Sequence, residues 1–128
     1  MSACPCGNAA DYAQCCGRLI EQGVRAGDCE TLMRSRYTAF VRRDCHYLRN
    51  SWHPNTRPDL QAADLDGTEW LGLTVVRSKT GFKKGYVEFI ARFRDAAGAE
   101  QQLHEISRFT QHNKRWVYQD DVEVWPGD

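Results

Sequence analysis

The stretch Leu103-His104-Glu105-Ile106-Ser107-Arg108-Phe109-Thr110 decides the fold class of this chain. Leu103, Glu105, Ser107 and Phe109 alternate onto one face and His104, Ile106, Arg108 and Thr110 onto the other, the period of a strand rather than of a helix. β-Branched and aromatic residues mark three more strands, over 70–77, 86–94 and 116–122. The connecting segments 78–85, 95–100 and 111–114 are short, polar and mostly glycine-bearing, as hairpin connections are. The second half therefore reads as a four-stranded antiparallel meander.

Working back from the meander, the period changes. From 30 to 43 the apolar residues Met33, Tyr37, Phe40 and Val41 recur at helical spacing, with Arg42 and Arg43 off that face and Asp28 placed to cap the start. Asp44 caps a second predicted helix in which Cys45, Leu48 and Trp52 share a face, and His53-Pro54 ends it. A third short helix is expected to open at Pro58. Helices followed by a meander predict an α+β domain, its helices packed on one face of a curved antiparallel sheet. The expected division is a small knuckle over 1–22 and an α+β domain over 28–128, joined across Gly23 and Gly27.

The chain has 128 residues, 41% of them hydrophobic, which suits one compact domain with an appendage rather than two full domains. Seventeen basic and seventeen acidic residues cancel, so no global field draws it to nucleic acid or an anionic membrane, and any such contact must be local. Met1-Ser2-Ala3-Cys4-Pro5 has neither the charged nor the apolar region of a secretory signal, and no apolar run reaches membrane-spanning length. The expected compartment is the reducing cytoplasm. Clustered cysteines there read as metal ligands or redox groups before they read as disulfides.

Four of the six cysteines, Cys4, Cys6, Cys15 and Cys16, fall within the first seventeen residues as C-x-C and then C-C. Pro5 and Gly7 supply the turn that lets Cys4 and Cys6 face one point. Asn8 is placed to cap a helical turn over 9–14, and Gly17 to permit a left-handed exit after Cys16. Tyr12 is the one large apolar side chain in this segment, and its ~2 to 3 kcal/mol of burial cannot order it, whereas a structural zinc ion contributes about 10 to 16 kcal/mol. Tetrahedral thiolate coordination of zinc is therefore the leading reading, and four protein ligands leave no open position for substrate. Redox-active thiols and a vicinal Cys15–Cys16 disulfide are the alternatives. Of the other cysteines, Cys29 lies near a helix start, where a thiol pKa can fall, and Cys45 reads as core.

Beyond the cysteines, Tyr37, Trp52, His53, Trp70, Glu105 and Arg108 are the candidate pocket residues. If the face bearing Glu105 is the concave one, its carboxyl is partly desolvated, its pKa is raised, and it meets the requirement of a general base. His46, His53, Tyr37 and Asp120 are its candidate companions, and a buried salt bridge to Arg34 or Arg36 is the structural alternative. Trp52, Trp70 and Trp116 read as core or pocket wall. Arg34, Arg36, Arg42, Arg43 and Arg49 give the helical region a local positive bias that suits either phosphate or a solvated face.

Cys4-Pro5-Cys6-Gly7 followed by Cys15-Cys16-Gly17 resembles the SEC-C motif, a zinc knuckle also found at the C-terminus of the bacterial preprotein translocase ATPase. Leu32-Met33-Arg34-Ser35-Arg36-Tyr37-Thr38-Ala39-Phe40, Ser51-Trp52-His53-Pro54, Thr68-Glu69-Trp70-Leu71-Gly72-Leu73 and Ser107-Arg108-Phe109 look like the bacterial YchJ-like family. The resemblance implies a SEC-C knuckle followed by a domain similar to the nuclear transport factor two-like fold, a cone of helices and curved sheet around a pocket. It implies zinc on Cys4, Cys6, Cys15 and Cys16, and a protein partner such as the export chaperone or the ribosome. Two departures stand out. Longer relatives carry a second knuckle at the C-terminus, where this sequence ends at Trp125-Pro126-Gly127-Asp128, and many such knuckles are lysine-rich where 7–14 has no basic residue.

The leading functional expectation is a non-enzymatic zinc-binding adaptor, its knuckle docking on a protein partner and its α+β domain offering a second surface. A pocket protein, binding a small molecule or using Glu105 in acid/base chemistry, is the alternative, and ribosome or RNA association through the arginine-bearing helix is the third. The charge balance argues against nucleic acid and membrane as partners. Several domains of this fold pair through their sheets, so a homodimer is also an expectation.

Overall fold

The computed structural model describes residues 3–127. A 3₁₀ turn at Tyr12–Gln14 leads into α1 (Cys16–Ile20), followed by α2 (Cys29–Arg42) and α3 (Cys45–Asn50). A second 3₁₀ turn at Ala62–Leu65 precedes β1 (Glu69–Thr80), β2 (Lys84–Arg94), β3 (Glu100–His112) and β4 (Arg115–Val122). The strands form one antiparallel sheet in sequence order, the meander expected from the alternation of residues. The third helix expected from Pro58 is the 3₁₀ turn four residues later, because Leu60 is bonded back to the Pro58 carbonyl and the helical pattern starts only beyond it.

α2 is the hub. Asp28 caps it by accepting from the Thr31 N–H at 2.8 Å, and Asp44 caps α3 through the Tyr47 N–H at 3.0 Å, as their placement predicts. One stripe of α2, with Cys29, Leu32, Met33 and Tyr37, packs with Val87, Phe89, Ala91, Phe109 and Trp116 of the sheet into the main core. Ser35 and Ala39 turn toward α3, where the Ser35 hydroxyl lies 2.6 Å from Tyr47 Oη and Ala39 packs with Leu48. A third stripe, Arg34 and Thr38, faces the knuckle. Ser35, Arg36 and Thr38 are consequently buried although polar. Among the described residues, no helix is long and apolar enough to cross a membrane.

Register decides which strand residues share the concave face. Phe89 pairs with Glu105 and Val87 with Ser107 on the helix side, and Phe109 pairs with Tyr118. Between Arg108 and Phe109 the β3–β4 ladder slips, so that Arg108 faces Asp120 and Ser107 faces Asp121. One extra residue in β4 thus sends Tyr118 and Asp121 to the same face, where simple alternation would have sent Tyr118 with Asp120. Two similar irregularities bend β1, between Trp70 and Gly72 and between Val75 and Arg77.

Candidate functional site

The knuckle closes on itself before it meets the rest of the chain. Cys4 N–H bonds to the Ala10 carbonyl at 2.9 Å, and the Gly7 N–H bonds back to Cys4 with Gly7 at φ 93°, the turn that Pro5 and Gly7 were expected to make. Asn8 does not cap a helix. Its amide reaches Cys15 Sγ at 3.6 Å, and the helical turn starts only after Asp11. Gly17 is not a left-handed exit but a member of α1, where a Cβ would lie 2.7 Å from the Tyr12 carbonyl oxygen. Its bareness lets the two short helical turns touch.

This folding brings together Cys4, Cys6, Cys15 and Cys16, whose four sulfurs lie within 4.8 Å of one another. Sγ of Cys6 and Cys15 are 3.6 Å apart, close to the ~3.8 Å edge of a tetrahedron built on Zn–S bonds of about 2.3 Å. Cys4, Cys6 and Cys16 are buried and Cys15 is half-buried. A hydrogen bond from Cys16 holds the Cys6 thiol down at about 5 despite burial, with the Asn8 backbone and the Cys4 and Cys15 thiols assisting. The same Cys6–Cys16 contact, followed by burial, pushes Cys16 up, and burial pushes up Cys15. Burial thus opposes charge on Cys15 and Cys16 while hydrogen bonding favours it on Cys6, and a divalent cation would favour thiolates on all of the sulfurs it binds. Outer contacts orient the cluster: Thr38 Oγ1 is 3.7 Å from Cys4 Sγ, and Arg34 Nη1 donates to the Cys6 carbonyl at 2.7 Å while its Nε pairs with Glu30. Arg42 lies 4.2 Å above the Tyr12 ring. The donor set fits a closed four-sulfur metal site. The separation of these groups along α2 also shows what sequence reading missed, namely that the knuckle is fastened to the chain's own central helix.

On another face of α2 lies a cavity of about 320 Å³. Met33, Arg36, Tyr37 and Phe40 of α2 form one wall, and Trp52, Trp70, Phe89, Ala91, Leu103 and Tyr118 make the remainder largely aromatic or aliphatic. Trp70 is the hinge of the aromatic lining, with ring centroids 5.8 Å from Tyr37 and 5.7 Å from Phe40. At the polar end sit Glu105, Ser107 and Asp121. Tyr118 Oη donates to Asp121 Oδ1 at 2.6 Å. Glu105 is pushed up to about 8, first by the hydrogen bond it shares with Asp121, then by burial and by the Asp121 charge. Burial, with the Asp121 carboxylate, also pushes the Tyr118 phenol up. Glu105 therefore keeps its proton at neutral pH, beside the Asp121 carboxyl group. Both carboxyl groups also face an open acidic cleft that includes Glu88, His104 and Glu123, so they stand where the aromatic cavity meets solvent.

Of the pocket candidates read from the sequence, Tyr37, Trp52, Trp70 and Glu105 line the cavity. Arg108 does not, because it is on the opposite face of β3, doubly bonded to Asp120 at 2.7 and 2.5 Å. His53 lies outside it, its ring 4.8 Å from that of His112 and its N–H bonded to the Tyr118 carbonyl. The companion of Glu105 is Asp121, not Asp120, and the β4 irregularity is the reason. His46 borders a different cleft, with Glu21, Asn50 and Arg115. Arg36 reaches the cavity wall but makes no salt bridge with Glu105. Its Nη1 donates to the Leu48 carbonyl at 2.9 Å and Ser51 Oγ at 2.6 Å, and its guanidinium lies 4.8 Å from the rings of both Trp52 and Tyr118. Desolvation lowers its pKa to about 10, leaving it charged at neutral pH. Cys29 is buried against the sheet and its thiol is pushed up to about 11 by that burial, which removes it as an activated nucleophile.

A closed cysteine knuckle set on a helix-and-sheet cone defines a SEC-C motif protein with a nuclear transport factor two-like domain. Residues 28–121 match the family model described as YchJ, middle NTF2-like domain, and the chain belongs to that family. A UPF0225 protein of Xanthomonas oryzae pv. oryzae is 51% identical over 119 residues, covering 91% of this chain and 92% of the relative. The solution structure of a SEC-C motif containing protein from Rhodopseudomonas palustris superposes with a TM-score of 0.87 at 34% identity, over 97% of this chain and 100% of that one. A crystal structure of a SEC-C motif containing protein from Psychrobacter arcticus gives 0.78 at 27% identity, over 100% and 86%.

Proposed function

We propose that this is a zinc-stabilised ligand-binding protein. Cys4, Cys6, Cys15 and Cys16 hold a structural zinc ion, and the aromatic cavity is the working site, taking a small molecule with a flat or apolar body and a polar group presented to Glu105 and Asp121. The observation that carries the reading is the convergence of Glu105, Ser107 and Asp121 at the polar end of an otherwise largely aromatic 320 Å³ cavity, a pairing of apolar body and convergent polar groups that suits small ligands. Zinc, when bound, supplies no reaction chemistry here; it fixes the knuckle against Arg34 and Thr38, and α2 in turn supplies one cavity wall. Glu105 can give or take a proton at a bound polar group, and Asp121, held by Tyr118, is the counterpart.

Docking of the knuckle on a protein partner in the cytoplasm is the second reading. Its support is the exposed, uncharged residues Ala9, Ala13 and Gln14 of the knuckle. One pair of variants separates the two. Thermal-shift titration with aromatic amines, aromatic acids and their neutral analogues is expected to find one class that stabilises the zinc-loaded protein and loses its effect in Glu105→Gln. No stabilising class, or an effect indifferent to Glu105→Gln, would reject the cavity reading. Partner capture lost in Ala9→Arg with zinc content unchanged would instead favour the knuckle surface.

A further inference from the structure

The chain has four lysines, Lys79, Lys83, Lys84 and Lys114, and the meander carries all of them to one end of the sheet. Lys84 pairs with Thr110 near the end of β3, and the Gln111 N–H bonds to the Lys83 carbonyl at 3.0 Å, so the β1–β2 and β3–β4 turns lie side by side. The β3–β4 turn holds Asn113 at φ 52° and Lys114 at φ 66°, the two left-handed residues of a tight hairpin that lifts Lys114 to its tip. At the neighbouring tip Phe82 is 89% exposed.

These cations differ from those of α2. Arg34, Arg36, Arg42 and Arg43 are consumed within the molecule by Cys6 and Glu30, by Leu48 and Ser51, by Glu21, and by Asp66 respectively. Lys83, Lys84 and Lys114 are exposed, and among the described residues none of their ammonium groups has an ion-pair or hydrogen-bond partner. Lys79 is turned back, lying over the rings of Tyr86 and Trp125 and donating to the Gly127 carbonyl. Neither 78–87 nor 107–119 contains an aspartate or glutamate. A chain with no net charge therefore has three unpaired lysines at one end of the sheet, where the start of α2 also brings Asp28 and Glu30 beside Thr80 and Ser78, and its most exposed large apolar side chain stands among those lysines. A lone exposed phenyl is ordinary on a protein surface. A lone phenyl among three unpaired ammonium groups matches a partner with a flat apolar face and repeated negative charge.

We propose that this end of the sheet binds single-stranded nucleic acid, with Phe82 stacked on a base and Lys83, Lys84 and Lys114 on flanking phosphates. This goes beyond the cavity reading and does not depend on it. Exposed Gln111 and Asn113 beside the tip add amide groups that suit base edges and have no use at a lipid surface. One phenyl, worth ~2 to 3 kcal/mol of burial, is also too little for stable membrane anchoring.

The test is fluorescence anisotropy of a labelled oligouridine and its oligothymidine counterpart, titrated with the zinc-loaded full chain between about 50 and 200 mM salt. Three phosphate contacts give an expected slope of log Kobs against log salt of about −2. Lys83→Gln with Lys84→Gln should flatten it to about −0.7, and Phe82→Ala should weaken binding about five- to 100-fold while leaving the slope unchanged. These side chains are exposed, so unchanged melting curves confirm that the variants are folded. Binding of either oligonucleotide with these responses supports the proposal, and the ratio of the two affinities reports whether the 2′-hydroxyl is read. No binding, binding indifferent to the tip substitutions, or tip-dependent binding of phosphatidylserine vesicles without oligonucleotide binding would overturn it.

Discussion

On one side of α2 the knuckle gathers four sulfurs from thirteen consecutive positions, 4–16; on another the cavity gathers rings and carboxyl groups from positions as far apart as Met33 and Asp121. The knuckle has almost no apolar surface of its own, so in the proposed reading its order comes from a few strong, directional bonds to one ion, together with Arg34 and Thr38 beneath it. The cavity is made by the ordinary core: burial of aromatic and aliphatic side chains across a helix and four strands, with two carboxyl groups left at its mouth. A site of the first kind is removed by removing one component. A site of the second kind degrades gradually, because many weak contacts share the load.

Removing the metal should separate the two regions most sharply. Cys15→Ser with Cys16→Ser, or chelation, is expected to abolish metal content by elemental analysis and to lower the thermal midpoint by on the order of 10 °C or more, with amide exchange accelerating first in the knuckle and in α1. Equal loss of protection across β2 and β3 would show that the two regions are one cooperative unit. Next in size, Arg36→Ala should destabilise by about 3 kcal/mol in chemical denaturation, since it strips the Leu48 carbonyl and Ser51 hydroxyl of a buried donor and leaves a void between Trp52 and Tyr118. Arg34→Ala should act across the junction, weakening metal binding about tenfold in competition with a chelating dye while sparing the cavity. Tyr118→Phe, which removes the hydroxyl from Asp121, should cost about 1 kcal/mol.

A change in pH dependence completes the comparison. The folded protein raises Glu105 from its ordinary 4.5 to about 8, so between those values the folded state holds a proton that the unfolded chain has lost. The contribution of this group to stability is complete below about 4.5 and declines as pH rises, ending near 8. Glu105→Gln should remove that decline, and Asp121→Asn, which takes away the main cause of the shift, should reduce it. Melting curves from pH 4 to 9 would show either result.

The knuckle's four-cysteine cluster was legible because its spacing is local: C-x-C and C-C, separated by eight residues, present the same grouping in the sequence as in space. The four strands were legible from alternation, and the structure extends each by only a few residues at its ends. The same alternation grouped Glu105 with Leu103, Ser107 and Phe109 but left open which face is concave, and the structure turns that face toward the helices. The partner of Glu105 was not found, because the β4 irregularity shifts register by one residue and exchanges Asp120 for Asp121, and nothing in Gln119-Asp120-Asp121 marks the extra residue. Helix α2 misled in a related way. Its polar residues suggested an outer face, yet Ser35, Arg36 and Thr38 are buried because α3, the sheet and the knuckle enclose the helix from three directions.

By itself the sequence determined what depends on neighbours along the chain: the cysteine grouping, the helical caps at Asp28 and Asp44, the strand alternation, and hence the helix-then-meander architecture. Tertiary structure alone decided what depends on register and enclosure. It pairs Glu105 with Asp121, turns Arg108 outward to Asp120, spends the α2 arginines inside the molecule and leaves three lysines together at the end of the sheet. The physical reason is that hydrogen-bonding periods and capping act over a few residues, whereas burial and charge pairing are settled between segments that the chain itself holds far apart.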